Sequence, residues 1–263
     1  MATSIVPPMQ TLQVERAGGV VTVTMNRPER KNAINAEMAA ELTEVFRALA
    51  TNTDDRCVVL TGAGGEFSSG ADLSAGPSGK HGLAAMRDTA ALVQSVHDLP
   101  QPTIAKVEGV AVGLGANLAL GCDLIVASET ARFSEIFARR GLAVDGGGSY
   151  LLPRLVGMHR AKELVFFAEI LSAAEAAGVG LVNRVVAPGE LDGFVAEWAG
   201  RLATGPSIAL SLSKKLLNQS FSVTMAQALE AEAQAQTVNF GTQDTVEAMT
   251  AFVQKRDPVF KAR

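Results

Sequence analysis

Two glycine-rich turns hold the residues best suited to chemistry on an oxygen atom. The first is Val107-Glu108-Gly109-Val110-Ala111-Val112-Gly113-Leu114-Gly115-Ala116-Asn117-Leu118-Ala119-Leu120-Gly121-Cys122-Asp123. Thr103 to Val107 reads as a buried strand, the glycines allow a tight turn and a close approach to a ligand, and Asn117 to Cys122 reads as the first turns of an apolar helix. A strand entering a helix N-terminus presents unpaired N–H groups and partial positive charge, which suits an oxygen that becomes negative during a reaction. The N–H groups near Leu114 are the candidates. Tight packing of a helix on a sheet, with no ligand, accounts for the same stretch equally well. The second turn, Phe67-Ser68-Ser69-Gly70-Ala71-Asp72-Leu73, follows the strand Cys57 to Thr61 and offers the N–H of Ala71. Two peptide N–H groups from separate loops make an oxyanion hole.

This pair of turns, in this order, resembles the crotonase (enoyl-CoA hydratase/isomerase) superfamily. The resemblance extends from Val20-Val21-Thr22-Val23-Thr24-Met25-Asn26-Arg27-Pro28 through Gly146-Gly147-Gly148 and Leu152-Pro153-Arg154 to Asp257-Pro258-Val259-Phe260. It implies an α/β fold, the crotonase (ClpP-like) spiral of ββα units, with a core over residues 1–200 and a C-terminal helical trimerisation region over 201–263. It implies a coenzyme A thioester as substrate, with the N–H groups of Ala71 and Leu114 holding its carbonyl oxygen while an enolate forms. Ser69, Gly70, Asp72, Leu73 and Gly113 belong to the same two turns and are expected around the thioester. Arg27, Arg30 and Lys31 are expected beside the nucleotide phosphates, with ordinary solvated charge as the alternative for each. Phe260 and Lys261 match a segment that touches CoA from an adjacent subunit, and a homotrimer or hexamer is expected. No cofactor is implied beyond the CoA carried by the substrate.

Hydratases of the family use two glutamates, and the matching positions here are Asn117 and Phe137. Neither can act as an acid or base, and losing such a group costs a factor of ~10²–10⁴ for each role. Glu135 stands two residues before Phe137, off the motif's register. Asp145, just before Gly146-Gly147-Gly148, is the remaining acid in the matched segment, where a flexible backbone can bring a short carboxylate to the acyl carbons. Its structural alternative is an N-cap for a helix over 146–152. The combination resembles the branch of 1,2-epoxyphenylacetyl-CoA and Δ3,Δ2-enoyl-CoA isomerases, in which one carboxylate moves a proton between two carbons. A hydratase working with Asp145 and an ordered water, and a non-catalytic acyl-CoA binder, are the alternatives. Phe133, Phe137 and Tyr150 are candidates for the acyl pocket, with core packing as the alternative. His81 and His97 sit in no recognisable motif.

The elements that must position these groups alternate as expected for α/β architecture. Leu12 to Glu15 and Val20 to Met25 read as a hairpin about Gly18-Gly19, and Asn35 as the N-cap of a helix to about Ala50. Strands are expected over 57–61, 103–107 and 124–127, a mobile loop over 74–81, and a helix over 83–98. From Arg160 the pattern turns helical, over 161–168, 173–177, 191–203, 207–219 and 225–254.

With 263 residues, 48% of them hydrophobic, the chain suits one large globular enzyme. A net charge of −4 with no basic block argues against nucleic acid. Two cysteines and three histidines are too scattered for a metal site, and Cys57 and Cys122 lie in apolar runs, as buried thiols of a reducing compartment do. Met1 to Gln10 lacks a signal pattern and no apolar run is long enough for a membrane span, so a cytoplasmic location is expected.

Overall fold

Val58 and Leu60 belong to one hydrophobic core, and Cys57, Val59 and Ile104 to a second. Side chains of a strand alternate between faces, so a strand buried on both sides must carry a continuous apolar run, as Cys57-Val58-Val59-Leu60 does. The computed structural model describes residues 9–74 and 81–263. Its first half runs β1 (Leu12–Ala17), β2 (Val20–Met25), α1 (Ala36–Ala50), β3 (Cys57–Gly62), α2 (Gly82–His97), β4 (Thr103–Val107), β5 (Val110–Val112), α3 (Leu114–Leu120), β6 (Leu124–Ser128) and β7 (Arg132–Ser134). The second half runs α4 (Gly148–Phe167), β8 (Leu171–Ser172), α5 (Ala173–Gly178), β9 (Arg184–Val186), α6 (Leu191–Ala203), α7 (Ser207–Gln219), α8 (Met225–Phe240) and α9 (Gln243–Gln254).

Six strands form the main sheet in the order β1-β2-β3-β4-β6-β9, with β1 and β2 antiparallel and the rest parallel. One face packs against α1, α2, α3 and α4, through residues such as Met38, Phe46, Leu92 and Leu118. The other packs against α6, whose Leu191, Val195, Ala199 and Ala203 meet Val59, Ile104 and Val126. A second, three-stranded sheet, β5-β7-β8, stands beside α3. This is the mixed α/β architecture expected from the sequence.

Asn35 caps α1 as its residue type predicts, its side chain accepting from Met38 N–H at 2.9 Å. The structure differs from the sequence reading in several details. The short strands β5, β7, β8 and β9 were not foreseen, and α3 starts at Leu114 rather than Asn117. The expected helices over 146–152 and 161–168 are joined as α4 across a break at Gly157, whose φ of 75° and ψ of 161° are not helical. The expected helix over 225–254 is two helices, because Thr242 leaves the helical path and caps α9 by accepting from Thr245 N–H. Most of the expected loop over 74–81, and the start of the chain over 1–8, lie outside the described residues.

Candidate active site

Main-chain pairing brings the two glycine-rich turns together. Phe67 N–H donates to Glu108 O and Ser68 N–H to Val110 O, each at 2.8 Å, and Val112 N–H donates to Ser68 O at 3.0 Å. The buried Ser68 hydroxyl donates to Asn32 O at 2.8 Å and accepts from Gly70 N–H at 3.2 Å. Ile34 brackets Ala71 on both sides, donating to Gly70 O and accepting from Asp72 N–H. Those bonds leave the Ala71 N–H itself outside the ladder. The Leu114 N–H opens α3, where no intrahelical acceptor exists.

Close approach of the turns depends on missing side chains. A Cβ on Gly70, which has a φ of +93°, would stand 2.6 Å from Val112 O and 3.6 Å from Leu114 N. Gly113, the residue before α3, holds φ 54° and ψ −121°, a region that L side chains rarely enter, and its N–H donates to Ser134 O at 2.8 Å. The first turn therefore delivers α3 with its first N–H groups facing the second turn.

Asp145 arrives from a third loop. Gly146 lies flush on α3, since a Cβ there would be 2.8 Å from Leu114 Cδ1 and 3.3 Å from Asn117 Cβ. Asn117, fully buried, donates through Nδ2 to Asp145 O at 2.9 Å and to Glu135 Oε2 at 3.2 Å. Asp145 is not the helix cap considered from sequence: Gly147 occupies the N-cap of α4 with no side-chain cap bond. Asp145 Oδ1 is buried without a hydrogen-bond partner, and desolvation raises its pKa above the usual carboxylate value. Burial also pushes Glu135 up, to about 7, with the Asn117 bond opposing and the charge of Asp145 adding to the rise.

Glu135 is the buried acid that the motif register set aside. A 3₁₀ turn over Ile136–Arg140 follows it and lays Phe137 against Gly113, the nearest ring atom 3.7 Å from where a Gly113 Cβ would be. Phe133 belongs to the core, and Tyr150 is 39% exposed with Arg154 stacked over its ring.

The cations near the second turn are partly engaged. Arg27 Nη1 pairs with Asp72 at 3.0 Å, and Lys31 Nζ with Glu66 at 2.8 Å. Arg30 is exposed and makes no ion pair among the described residues. The Ser74 hydroxyl, against some burial and with help from Arg27, holds Asp72 below the ordinary value. Glu66 had no sequence signal, yet its Oε2 accepts from Val110 N–H at 2.6 Å and so fastens the cationic loop to β5. Ser69 donates to Arg30 O, and Leu73 is 68% exposed. Phe260 lines a cavity of about 300 Å³ between α7, α8 and α9, and Lys261 N–H donates to the buried Asp244 at 2.7 Å, so both C-terminal candidates are anchored within this chain's own helices.

A larger cavity, about 760 Å³, opens between α2, the start of α4 and α7. Gly147, Tyr150, His97 and Lys214 line it; Ala71, Leu114 and Asp145 do not. His81 caps α2, its ring accepting from Leu83 N–H. No cluster of metal-ligating side chains occurs among the described residues. Cys57 and Cys122 are free and buried, as expected, and no described helix is long and apolar enough to cross a membrane.

The chain is similar to known proteins along almost its whole length. The enoyl-CoA hydratase/isomerase family model matches residues 15–263. A 1,2-epoxyphenylacetyl-CoA isomerase of Escherichia coli (strain K12) is 38% identical over 251 residues, 93% of this chain and 96% of its own. A short-chain-enoyl-CoA hydratase of Clostridium acetobutylicum is 36% identical over 250 residues, 92% of this chain and 94% of its own. The crystal structure of an enoyl-CoA hydratase from Bacillus anthracis superposes with a TM-score of 0.93 at 33% identity, covering 97% of this chain and 100% of that one. Similarity at this level along almost the entire length, on a fold with two glycine turns meeting at a helix N-terminus, makes the chain a member of the enoyl-CoA hydratase/isomerase family of the crotonase superfamily.

Proposed function

We propose that this enzyme moves the carbon–carbon double bond of an enoyl-CoA thioester, with Asp145 as the single proton carrier. The observation that carries the reading is the Asp145 carboxyl: it is partly desolvated, has an unpartnered buried oxygen, and its loop is packed on Leu114 and Asn117. In the forward step the ionised carboxylate takes a proton from C2 of a 3-enoyl-CoA. The electron pair delocalises onto the thioester oxygen and over C3 and C4. The N–H groups of Ala71 and Leu114 hold that oxygen, each contributing on the order of a few kcal/mol to the dienolate. Asp145 then returns the proton to C4, leaving a 2-enoyl-CoA, so atoms and charge balance without a cofactor or metal.

Arg30 is the exposed cation free for a CoA phosphate, while Arg27 and Lys31 would have to exchange Asp72 and Glu66 for one. Assembly as a homotrimer or hexamer, with Phe260 and Lys261 reaching a neighbour's CoA, and residence in the reducing cytoplasm complete the proposal. The names of several relatives support a second reading, water addition to a 2-enoyl-CoA. Supplying purified protein with 3-enoyl-CoA and 2-enoyl-CoA, and following absorbance and product mass, separates the two. Interconversion at constant mass is expected; gain of one water by the 2-enoyl ester as the dominant reaction would replace isomerisation with hydration.

A further inference from the structure

Glu135 is a buried carboxylate beside Asp145 to which the reaction just described gives no part. Its side chain lies in the interior, 5% exposed, with Oε2 at 3.2 Å from Asn117 Nδ2. The same Nδ2 donates to the Asp145 main-chain carbonyl at 2.9 Å. An amide nitrogen has two hydrogens, and here each has an acceptor, which fixes the orientation of the Asn117 side chain. The amide is also wedged against α4. A Cβ on Gly148 would be 2.6 Å from Nδ2 and 2.8 Å from Oδ1, so only glycine leaves it room.

Among the described residues, the surroundings of Glu135 supply no compensating cation. β7 contributes Ser134, α3 contributes the uncharged Asn117, the loop before α4 contributes Asp145, and the segment after α4 contributes Glu169, which lines a small cavity together with Glu135. Neither Glu135 nor Asp145 forms an ion pair among the described residues.

We propose that Glu135 is a positioning residue for proton transfer by Asp145: through the shared Asn117 amide it holds the Asp145 loop, and its negative charge, when present, strengthens Asp145 as a base. The proposal rests on the isomerase reading for its catalytic consequence, and on geometry alone for the coupling of the two carboxyl groups. Burial places the ionisation of Glu135 at about 7, so the charge would come and go across the neutral range. Interaction between two titrating groups is mutual, so the charge that raises one raises the other.

The coupling is read directly by carbon-13 NMR titration of protein labelled at its Asp and Glu carboxyl carbons, with Asp145→Asn and Glu135→Gln providing the assignments. In the unsubstituted protein the Asp145 resonance should show a second inflection near pH 7. Glu135→Gln should abolish that inflection and leave the main Asp145 midpoint in place, because Glu135 is still protonated while Asp145 ionises. Glu169→Gln should leave both unchanged. In turnover, log kcat for 3-enoyl-CoA should rise again through pH 7, and Glu135→Gln should remove this second rise, giving a deficit of about threefold at pH 8. An Asp145 titration that is the same with and without Glu135 overturns the proposal, and so does a kcat profile that keeps its shape in Glu135→Gln. Glu135→Gln preserves size and the acceptor for Asn117, so misfolding of a more disruptive variant such as Glu135→Ala does not block the test. Should the unsubstituted protein fail to isomerise, the isomerase reading falls, while the NMR titration still decides whether the carboxyl groups are coupled.

Discussion

Asn117 Nδ2 stands 2.9 Å from the main-chain carbonyl of Asp145, a bond that spans 28 residues of sequence and ties α3 to the loop before α4. In family hydratases the position resembling Asn117 carries an acid, whereas here it acts as a bracket. Asn117→Ala should therefore lower kcat by roughly tenfold or more while changing KM little, because a misplaced base loses its approach to the reacting carbon. It should also cost about 1–3 kcal/mol of stability by leaving buried acceptors without donors. Steady-state kinetics and denaturant unfolding check both, and an Asn117→Ala enzyme with unchanged kcat would show the bracket to be dispensable.

Gly70→Ala and Gly113→Ala test the two turns. The new methyl at 70 meets Val112 O at 2.6 Å, and that at 113 demands a φ of +54° with a ψ of −121°. Each should displace one of the two N–H donors and reduce kcat on the order of 10²–10³-fold, the usual effect of losing an oxyanion donor. Gly178→Ala, where an added Cβ meets nothing within 4 Å, is the matched control. Equal activities in all three would remove the oxygen-binding role from the turns.

Stability should fall as pH rises through the range set by Glu135. Its folded pKa of about 7 lies above the ordinary glutamate value of 4.5, so between these the native state keeps a proton that the unfolded chain has released. The stabilisation is complete below about 4.5 and lost by about 7, a swing of about 3 kcal/mol. Glu135→Gln cannot ionise, and its denaturation free energy should be flatter over that interval. A slope unaffected by the substitution would place the titration elsewhere.

The parts of this picture legible in sequence are those with a strong local signal. Continuous apolar runs marked β3 and β4, Asn35 marked the start of α1, and clustered glycines marked both turns. The strand β5 escaped because three residues flanked by Gly109 and Gly113 are too short to show a period. The break at Gly241 escaped because helix-forming residues continue on both sides and Thr242 reads as a cap only once the turn is seen. Glu135 was set aside on register. Glu135 lies just past the end of β7, before the 3₁₀ turn that carries Phe137, and from there its side chain reaches Asn117. Its pairing with Asn117 is a tertiary contact between β7's end and α3, with no local pattern to announce it.

Both thiols should be inert in the native state. Burial, with the nearby Asp123 charge adding and Lys214 opposing, pushes Cys57 and Cys122 up to about 12, so the thiolate fraction at neutral pH is negligible. Ellman titration should count no thiols in folded protein and two after denaturation. Rapid reaction of either without unfolding would show that the cores around β3 and α3 open readily.

Asp145 carries the central claim, and isomerisation in deuterated water tests it most directly. Unsubstituted protein and Asp145→Asn are each incubated with 3-enoyl-CoA in deuterated water, and the products are resolved by mass and NMR. The account requires 2-enoyl-CoA from the unsubstituted enzyme, its C4 hydrogen being either the proton carried over from C2 or deuterium gained where the Asp145 carboxyl exchanges with solvent before returning it, and a rate reduced by about 10²–10⁴-fold in Asp145→Asn, with the folded state and CoA-ester binding retained. Undiminished isomerisation by Asp145→Asn would contradict it.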